Sequence, residues 1–350
     1  MLSRVRIVGS GLIGTSIALG LVQRGIAVEM VDSDPSSQAL AMDLIGGGQV
    51  TDPELVIFAL PTSRLSIVID HEIALNPYST FMDVGSVKNE VVQKVETFSG
   101  LSTRFLPTHP MAGREIGGAG SARADLFQGR SWILTPSADL AESSKELVLE
   151  LIQALGATAV ELSAPDHDRA VAKISHLPQI AASLVAKQLT GTPAEWMELA
   201  GQGLRDTTRI AASDESLWKE IIYSNRIELR QLLINLQNDL DSMINALDDP
   251  SKIAELIAAG REGKAAIPGK HGGVAREYWY LPIVIDDKPG QLGSIFNECA
   301  AMDVNVEDLI IEHSPGQLSA LITLALSQTD AEKLSAHLAS IGWNVHPIRK

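Results

Sequence analysis

The chain has 350 residues, enough for two or three domains, and its 45% hydrophobic and 20% charged content excludes a disordered or fibrous protein. Its 28 basic against 43 acidic side chains give a formal charge of -15, which repels nucleic acid and anionic membrane, and no basic patch reverses that. The single cysteine, Cys299, excludes an intramolecular disulfide or a cysteine-built zinc site and reads as an inert core thiol; no apolar run reaches the roughly 18 residues of a membrane span, so a cytoplasmic protein without a metal is expected.

Arg4 to Val8 reads as a short buried strand running into Gly9-Ser10-Gly11-Leu12-Ile13-Gly14, and Thr15 to Val22 then follows an apolar helical pattern. A G-x-G-x-x-G segment between strand and helix suits a dinucleotide. Gly9 permits the tight turn, Gly11 lets a pyrophosphate approach the backbone, and Gly14 lets the helix pack closely on the strand. A second strand, Ala27 to Val31, ends in Asp32, 23 positions after Gly9, near the spacing at which an acid takes the ribose hydroxyls. A carboxylate there repels a 2'-phosphate, so NAD is expected rather than NADP. Asp34 competes for that role, and a bare glycine turn with Asp32 capping the next helix is the structural alternative.

The alternation continues with an apolar run Leu55 to Leu60, broken by Pro61-Thr62-Ser63, a strand Phe81 to Val84, a helix from Val87, and strands near Phe105 and Trp132. This predicts a mostly parallel, doubly wound α/β sheet of Rossmann type over 1–163. Ligands sit outside the carboxyl ends of such strands, which selects the loops at Pro61 to Ser63, Gly85 to Lys88, and Thr108 to Glu115. The second carries the Ser86 hydroxyl and the Lys88 ammonium; the third carries the His109 imidazole in a turn shaped by Pro110 and Gly113. Neither loop reads as core. Ser86 is also placed to N-cap the helix at Val87, and both roles are compatible.

From Asp166 to Gly263 the strand signal disappears and amphipathic stretches take over, notably His167 to Leu189 and Glu215 to Leu247. The latter, as one helix of about 33 residues and roughly 50 Å, needs a partner for its apolar face, which predicts a homodimer through an all-helical domain over 164–264. Pro178, within Ser175-His176-Leu177-Pro178-Gln179, predicts a kink. Gly201 to Arg209 reads as a glycine-loosened turn carrying Arg205, Asp206 and Arg209, either a solvated salt-bridged loop or part of a site. Residues 265–277, with Lys270, His271 and Arg276, read as a linker.

The remainder, 278–350, parses as strand Tyr278 to Ile285, helix Leu292 to Met302, strand Val306 to Glu312, a turn at Ser314-Pro315-Gly316, strand Leu318 to Ala325, helix Asp330 to Ile341 and strand Trp343 to Ile348. That is a ferredoxin-like βαββαβ order. The loop Asp286 to Gly293 resembles the signature of ACT domains, which pair and bind an amino acid at the pairing interface; a purely structural pairing module is the alternative.

Together these segments resemble the prephenate dehydrogenase family of the tyrosine pathway, in the form with a C-terminal ACT domain. The resemblance runs through Gly9 to Gly14, Gly85-Ser86-Val87-Lys88, Thr108-His109-Pro110 with Ala112-Gly113 and Glu115, Ser175-His176-Leu177-Pro178, and Asp206 with Thr208-Arg209. It implies NAD-dependent oxidative decarboxylation of prephenate to 4-hydroxyphenylpyruvate. His109 would accept a hydrogen bond from the ring hydroxyl, Ser86 would help hold that hydroxyl and the nicotinamide, and Arg209 would bind a substrate carboxylate. Glu115 and Asp206 would gate the pocket, Ser175 and Gln179 would line it, and Pro61 and Gly85 would lie against the cofactor. Tyrosine is the implied effector at the ACT domain. The family often has a second histidine where this sequence has Gln179, near the pyruvyl side chain or its amino counterpart, so arogenate is the alternative substrate. A β-hydroxyacid dehydrogenase, which shares the dinucleotide domain followed by helices, and a non-catalytic sensor of nucleotide and amino acid are more distant alternatives.

Overall fold

A computed structural model of the chain describes residues 2–114, 116–267, 277–313 and 319–350. Glu115, the linker residues Lys270, His271 and Arg276, and the turn Ser314-Pro315-Gly316 with Leu318 lie outside them. The chain divides into two compact units, 1–239 and 240–350.

The first unit opens with β1 (Arg4–Val8), α1 (Leu12–Val22), β2 (Ala27–Val31), α2 (Pro35–Ile45), β3 (Leu55–Phe58), α3 (Thr62–Leu75), β4 (Thr80–Asp83), α4 (Asn89–Glu96), β5 (Phe105–Pro110), β6 (Ser131–Leu134), α5 (Glu142–Ala154) and β7 (Thr158–Glu161). The strands form one sheet in the order β2-β1-β3-β4-β5-β6-β7. All neighbours run parallel except β5 and β6, which pair antiparallel. The predicted mostly parallel, doubly wound sheet is therefore present.

Alternation along the strands divides the core between the two sheet faces. Val5, Ile7, Leu55, Ile57, Met82 and Leu106 join one cluster with Ile17 and Leu21 of α1. Val8, Val56, Phe58, Phe81 and Phe105 join the other, with Leu65 and Ile69 of α3 and Val91 and Val95 of α4. In the second cluster the rings of Phe58, Phe81 and Phe105 lie nearly parallel, with centroids 6.0 to 6.4 Å apart. Each fully buried ring contributes about 1.5–3 kcal/mol by leaving water.

Helices follow: α6 (Ala164–Val171), a π turn (Ala172–His176), α7 (Leu177–Lys187), α8 (Ala194–Met197), α9 (Gln202–Thr208), a 3-10 turn (Arg209–Ala212), α10 (Glu215–Ser224), α11 (Arg226–Ala246) and α12 (Pro250–Ala265). The unit boundary falls within α11. The kink expected at Pro178 takes the form of the π turn just before it, where proline has no N–H to give the preceding turn.

Three expectations need correction here. The stretch Glu215 to Leu247 is not one helix: it breaks at Asn225, whose buried side chain bonds the Asp168 carbonyl and the His176 ring. Gly201 to Arg209 is a helix rather than a loose turn, because only Gly201 stays extended and α9 starts directly after it. Ser86 does not cap the helix after it, since α4 begins at Asn89 with Lys88 in the cap position.

The second unit contains α12 and then β8 (Trp279–Asp286), α13 (Gln291–Ala301), β9 (Asp308–His313), β10 (Ser319–Leu326), α14 (Gln328–Ser340) and β11 (Asn344–Val345). Its sheet is antiparallel, in the order β11-β8-β10-β9. Leu281, Ile283 and Ile285 alternate inward from β8 against Ile295 and Cys299 of α13 and Leu334 and Leu338 of α14, so Cys299 is a core thiol as expected. Among the described residues no helix is long and apolar enough to cross a membrane.

Candidate active site

The sheet order reverses between β1 and β3, and the loops leaving these two strands flank that point, where ligands of open α/β sheets bind. After β1, Gly9 has φ 113, and a Cβ there would lie 2.2 Å from the Ala59 carbonyl oxygen. A Cβ on Gly14 would lie 2.1 Å from the Gly9 carbonyl oxygen, whereas one on Gly11 would meet open space. The turn is thus closed against the protein at Gly9 and Gly14 and open at Gly11, the side from which a pyrophosphate can reach the start of α1. Leu12 and Ile13 form its first, half-buried turn, and Pro61 lies exposed at the start of α3.

Asp32, just past β2, accepts hydrogen bonds on one carboxylate oxygen from the Ser10 N–H (2.7 Å) and hydroxyl (2.8 Å), and on the other from the Asp34 N–H (2.9 Å). Burial alone would raise its pKa, but these bonds bring it below the ordinary value, so it is ionised. Asp34 caps α2 by accepting from the N–H groups of Ser36 and Ser37. The structure therefore gives the capping role to Asp34 and places Asp32 beside the glycine turn.

At the carboxyl ends of β4 and β5 the chemistry is concentrated. Lys88, expected on a loop outside the core, is fully buried: its ammonium pairs with Asp83 and donates to the Thr108 carbonyl at 2.6 Å. Asp83 also accepts from the N–H groups of Gly85 (2.8 Å) and Thr108 (3.2 Å). Burial pushes Asp83 up and Lys88 down, each against the attraction of the other. This pair pins the Gly85-Ser86 loop to the segment that carries His109. Ser86 and His109 are both half-buried.

His109 Nδ1 lies 2.9 Å from Nε2 of His167, and His167 Nδ1 lies 2.7 Å from Oδ1 of Asp168. The Asp168 carboxylate in turn accepts from the N–H of Lys88 (2.7 Å) and of Asn89 (2.9 Å), at the start of α4. Burial, then the neighbouring His167, Lys88 and His176, hold the His109 pKa well below 6.5, so His109 is neutral. His167, Asp168 and Asn225 belong to none of the motifs legible in the sequence. The adjacent His-Asp pair at a helix start was the available signal, but it reads equally well as a solvated polar face.

Of the other expected site residues, Ser175 lies half-buried in the π turn, and Gln179 is buried one turn into α7. Gln179 Nε2 donates to the Ile210 carbonyl at 2.9 Å, which ties α7 to the turn that begins with Arg209. Arg209 and Asp206 are exposed, and Asp206 accepts from Gln202 Nε2 at 2.7 Å.

His176 is also buried, and burial, opposed by Asp168 and reinforced by His167, pushes its pKa from 6.5 to about 4. An unfolded chain takes up that proton near 6.5, which the folded protein accepts only near 4. Stability is therefore full above the upper value and falls as pH drops through this window, by roughly 3 kcal/mol. Urea-unfolding free energies measured from pH 7 to 4 should show that loss; a flat profile would contradict it.

Comparison with known proteins matches residues 17–161 to the model described as prephenate dehydrogenase, nucleotide-binding domain, and residues 163–258 to prephenate dehydrogenase, dimerization domain. A probable prephenate dehydrogenase of Streptomyces niveus is 28% identical over 355 residues, covering 96% of this chain and 98% of that protein. A crystal structure of prephenate dehydrogenase from A. aeolicus, in complex with hydroxyphenyl propionate and NAD+, is similar with TM-score 0.67 and 27% identity, over 75% of this chain and 96% of that one. The arogenate dehydrogenase of Synechocystis is similar with TM-score 0.61 and 25% identity, over 75% of this chain and 99% of that one.

Proposed function

Because the chain belongs to the prephenate dehydrogenase family, we propose that it performs the NAD-dependent oxidative decarboxylation of prephenate to 4-hydroxyphenylpyruvate. The observation that supports this most is the neutral, half-buried His109 at the carboxyl end of β5, in the same unit as the glycine turn. The open approach at Gly11 and the ionised Asp32 fit NAD and disfavour a 2'-phosphate. Bound NAD supplies the hydride acceptor.

The protein residues then manage charge and protons. His109 accepts the proton of the ring hydroxyl as the carbinol carbon is oxidised. The new ketone draws in the electrons released when the ring carboxylate leaves as carbon dioxide, the ring becomes aromatic, and the phenolate oxygen recovers its proton from His109. His109 ends neutral, as it began. Ser86 holds the same oxygen, and Glu115 with Asp206 gates the pocket. Arg209 supplies the local cation that a dianionic substrate needs in a chain of charge -15, with a fork suited to a carboxylate.

Arogenate is the second reading. The Gln179 amide nitrogen is committed to the Ile210 carbonyl, which leaves its carbonyl oxygen, an acceptor that the ammonium of arogenate can use. The preference for prephenate rests on the named relatives instead. The exposed Ile227, Ile234, Leu240 and Ile244 of α11 supply an apolar surface for a homodimer. The βαββαβ order of residues 278–350, with Gly290 at φ 91 before α13, supports a ferredoxin-like ACT domain, and tyrosine is the effector that the family resemblance implies. The test is NADH formation with prephenate and with arogenate, each with and without tyrosine. Faster turnover of prephenate, inhibited by tyrosine, is expected; exclusive arogenate turnover would reverse the substrate assignment.

A further inference from the structure

We infer that His167 and Asp168 are positioning residues: together they fix the tautomer of His109 so that Nε2, and not Nδ1, presents its lone pair to the substrate hydroxyl. This rests on the reading of His109 as the acceptor for that hydroxyl. The constraint starts at Asp168, whose carboxylate is held by two backbone donors, Lys88 N–H at Oδ1 and Asn89 N–H at Oδ2. With backbone donors on both oxygens, the carboxylate can only accept from a further neighbour. The His167 nitrogen 2.7 Å from Oδ1 is therefore the protonated one. With its proton at Nδ1, the His167 ring turns its Nε2 lone pair toward Nδ1 of His109, 2.9 Å away, so His109 carries its proton at Nδ1. What remains on His109 is a free acceptor at Nε2.

His167 and Asp168 are 0% and 1% exposed, so water offers neither an alternative partner. The same row serves the charged state. When the hydroxyl proton rests on His109 Nε2, the resulting imidazolium donates from Nδ1 to His167, and the Asp168 carboxylate lies behind it as counter-charge. The otherwise expensive step, a cation beside buried Lys88, is thereby eased without any net proton leaving the site.

Asp168→Ala removes the acceptor that fixes the row: nothing then holds the His167 proton at Nδ1, and the tautomer of His109 is released. A fall in kcat of about 10² to 10⁴ is expected, with KM for prephenate and for NAD within about threefold of wild type. His167→Gln, which keeps a donor toward Asp168 and an acceptor toward His109, should retain more of kcat. The decisive readout is the 15N spectrum of the His109 ring in the substrate-free protein. Wild type and His167→Gln should carry the proton at Nδ1, whereas Asp168→Ala should show it shared between Nδ1 and Nε2. A wild-type ring protonated at Nε2 overturns the inference, as does Asp168→Ala with lowered thermal stability but unchanged tautomer and kcat. Because the tautomer is read without substrate, it stands or falls separately from prephenate turnover, whose absence in wild type would overturn the functional reading instead.

Discussion

His109→Ala should lower kcat for prephenate by about 10² to 10⁴, with NAD affinity close to wild type, because it removes the proton acceptor and leaves the glycine turn untouched. Stopped-flow or steady-state NADH formation together with an NAD titration measures both; turnover within a few-fold of wild type would contradict the assigned role. The pH dependence has a definite sign. Only the neutral ring can accept, and burial followed by His167, Lys88 and His176 holds the His109 pKa well below 6.5. The kcat/KM of the free enzyme should therefore stay level as pH is lowered through the ordinary histidine range and decline only below it. An acid limb at or above 6.5 would show that His109 is not so depressed.

Lys88→Met should destabilise the first unit by about 3–5 kcal/mol, since it removes one partner of a fully buried ion pair and leaves Asp83 uncompensated. Urea unfolding of the full chain gives the number. Adding Asp83→Asn to Lys88→Met should recover part of the loss, because it removes the stranded charge, although the single amide oxygen keeps only one of the two bonds that Asp83 accepts at Oδ2 from Gly85 and at Oδ1 from Thr108. If the double variant were less stable than Lys88→Met alone, the loss would not come from the stranded charge. Turnover should also drop in Lys88→Met, through loosening of the joint between the Gly85-Ser86 loop and the Thr108-His109 strand end.

Much of the dinucleotide half was legible in the sequence because its signals are local. A strand's alternation, a glycine forced to φ 113, and an acid at the next strand's end each act within a few residues of themselves. Their boundaries were less so: β3 stops at Phe58 and not Leu60, and α4 starts at Asn89 and not Val87. The short strand β7 gave little pattern, since its four residues are largely exposed or half-buried. The break at Asn225 was hidden because the apolar period continues across it, and its cause is a side chain reaching α6 and the π turn. Lys88 read as a surface charge because nothing local shows that Asp83 is buried with it. His167 and Asp168 act only once α6 meets α4, a contact between residues about 80 positions apart in the chain.

The anchoring of Asp168 has a consequence for how substitutions can accumulate in this chain. Its two donors at α4 are peptide N–H groups, those of Lys88 and Asn89. Every amino acid except proline carries that group, so the anchor tolerates nearly any side chain at position 89. Position 88 is restricted by its buried ammonium alone. The carboxylate on the other side has no such freedom, since only an acid can accept from three donors while remaining charged. Sequence drift is thus permitted on one side of a single contact and forbidden on the other.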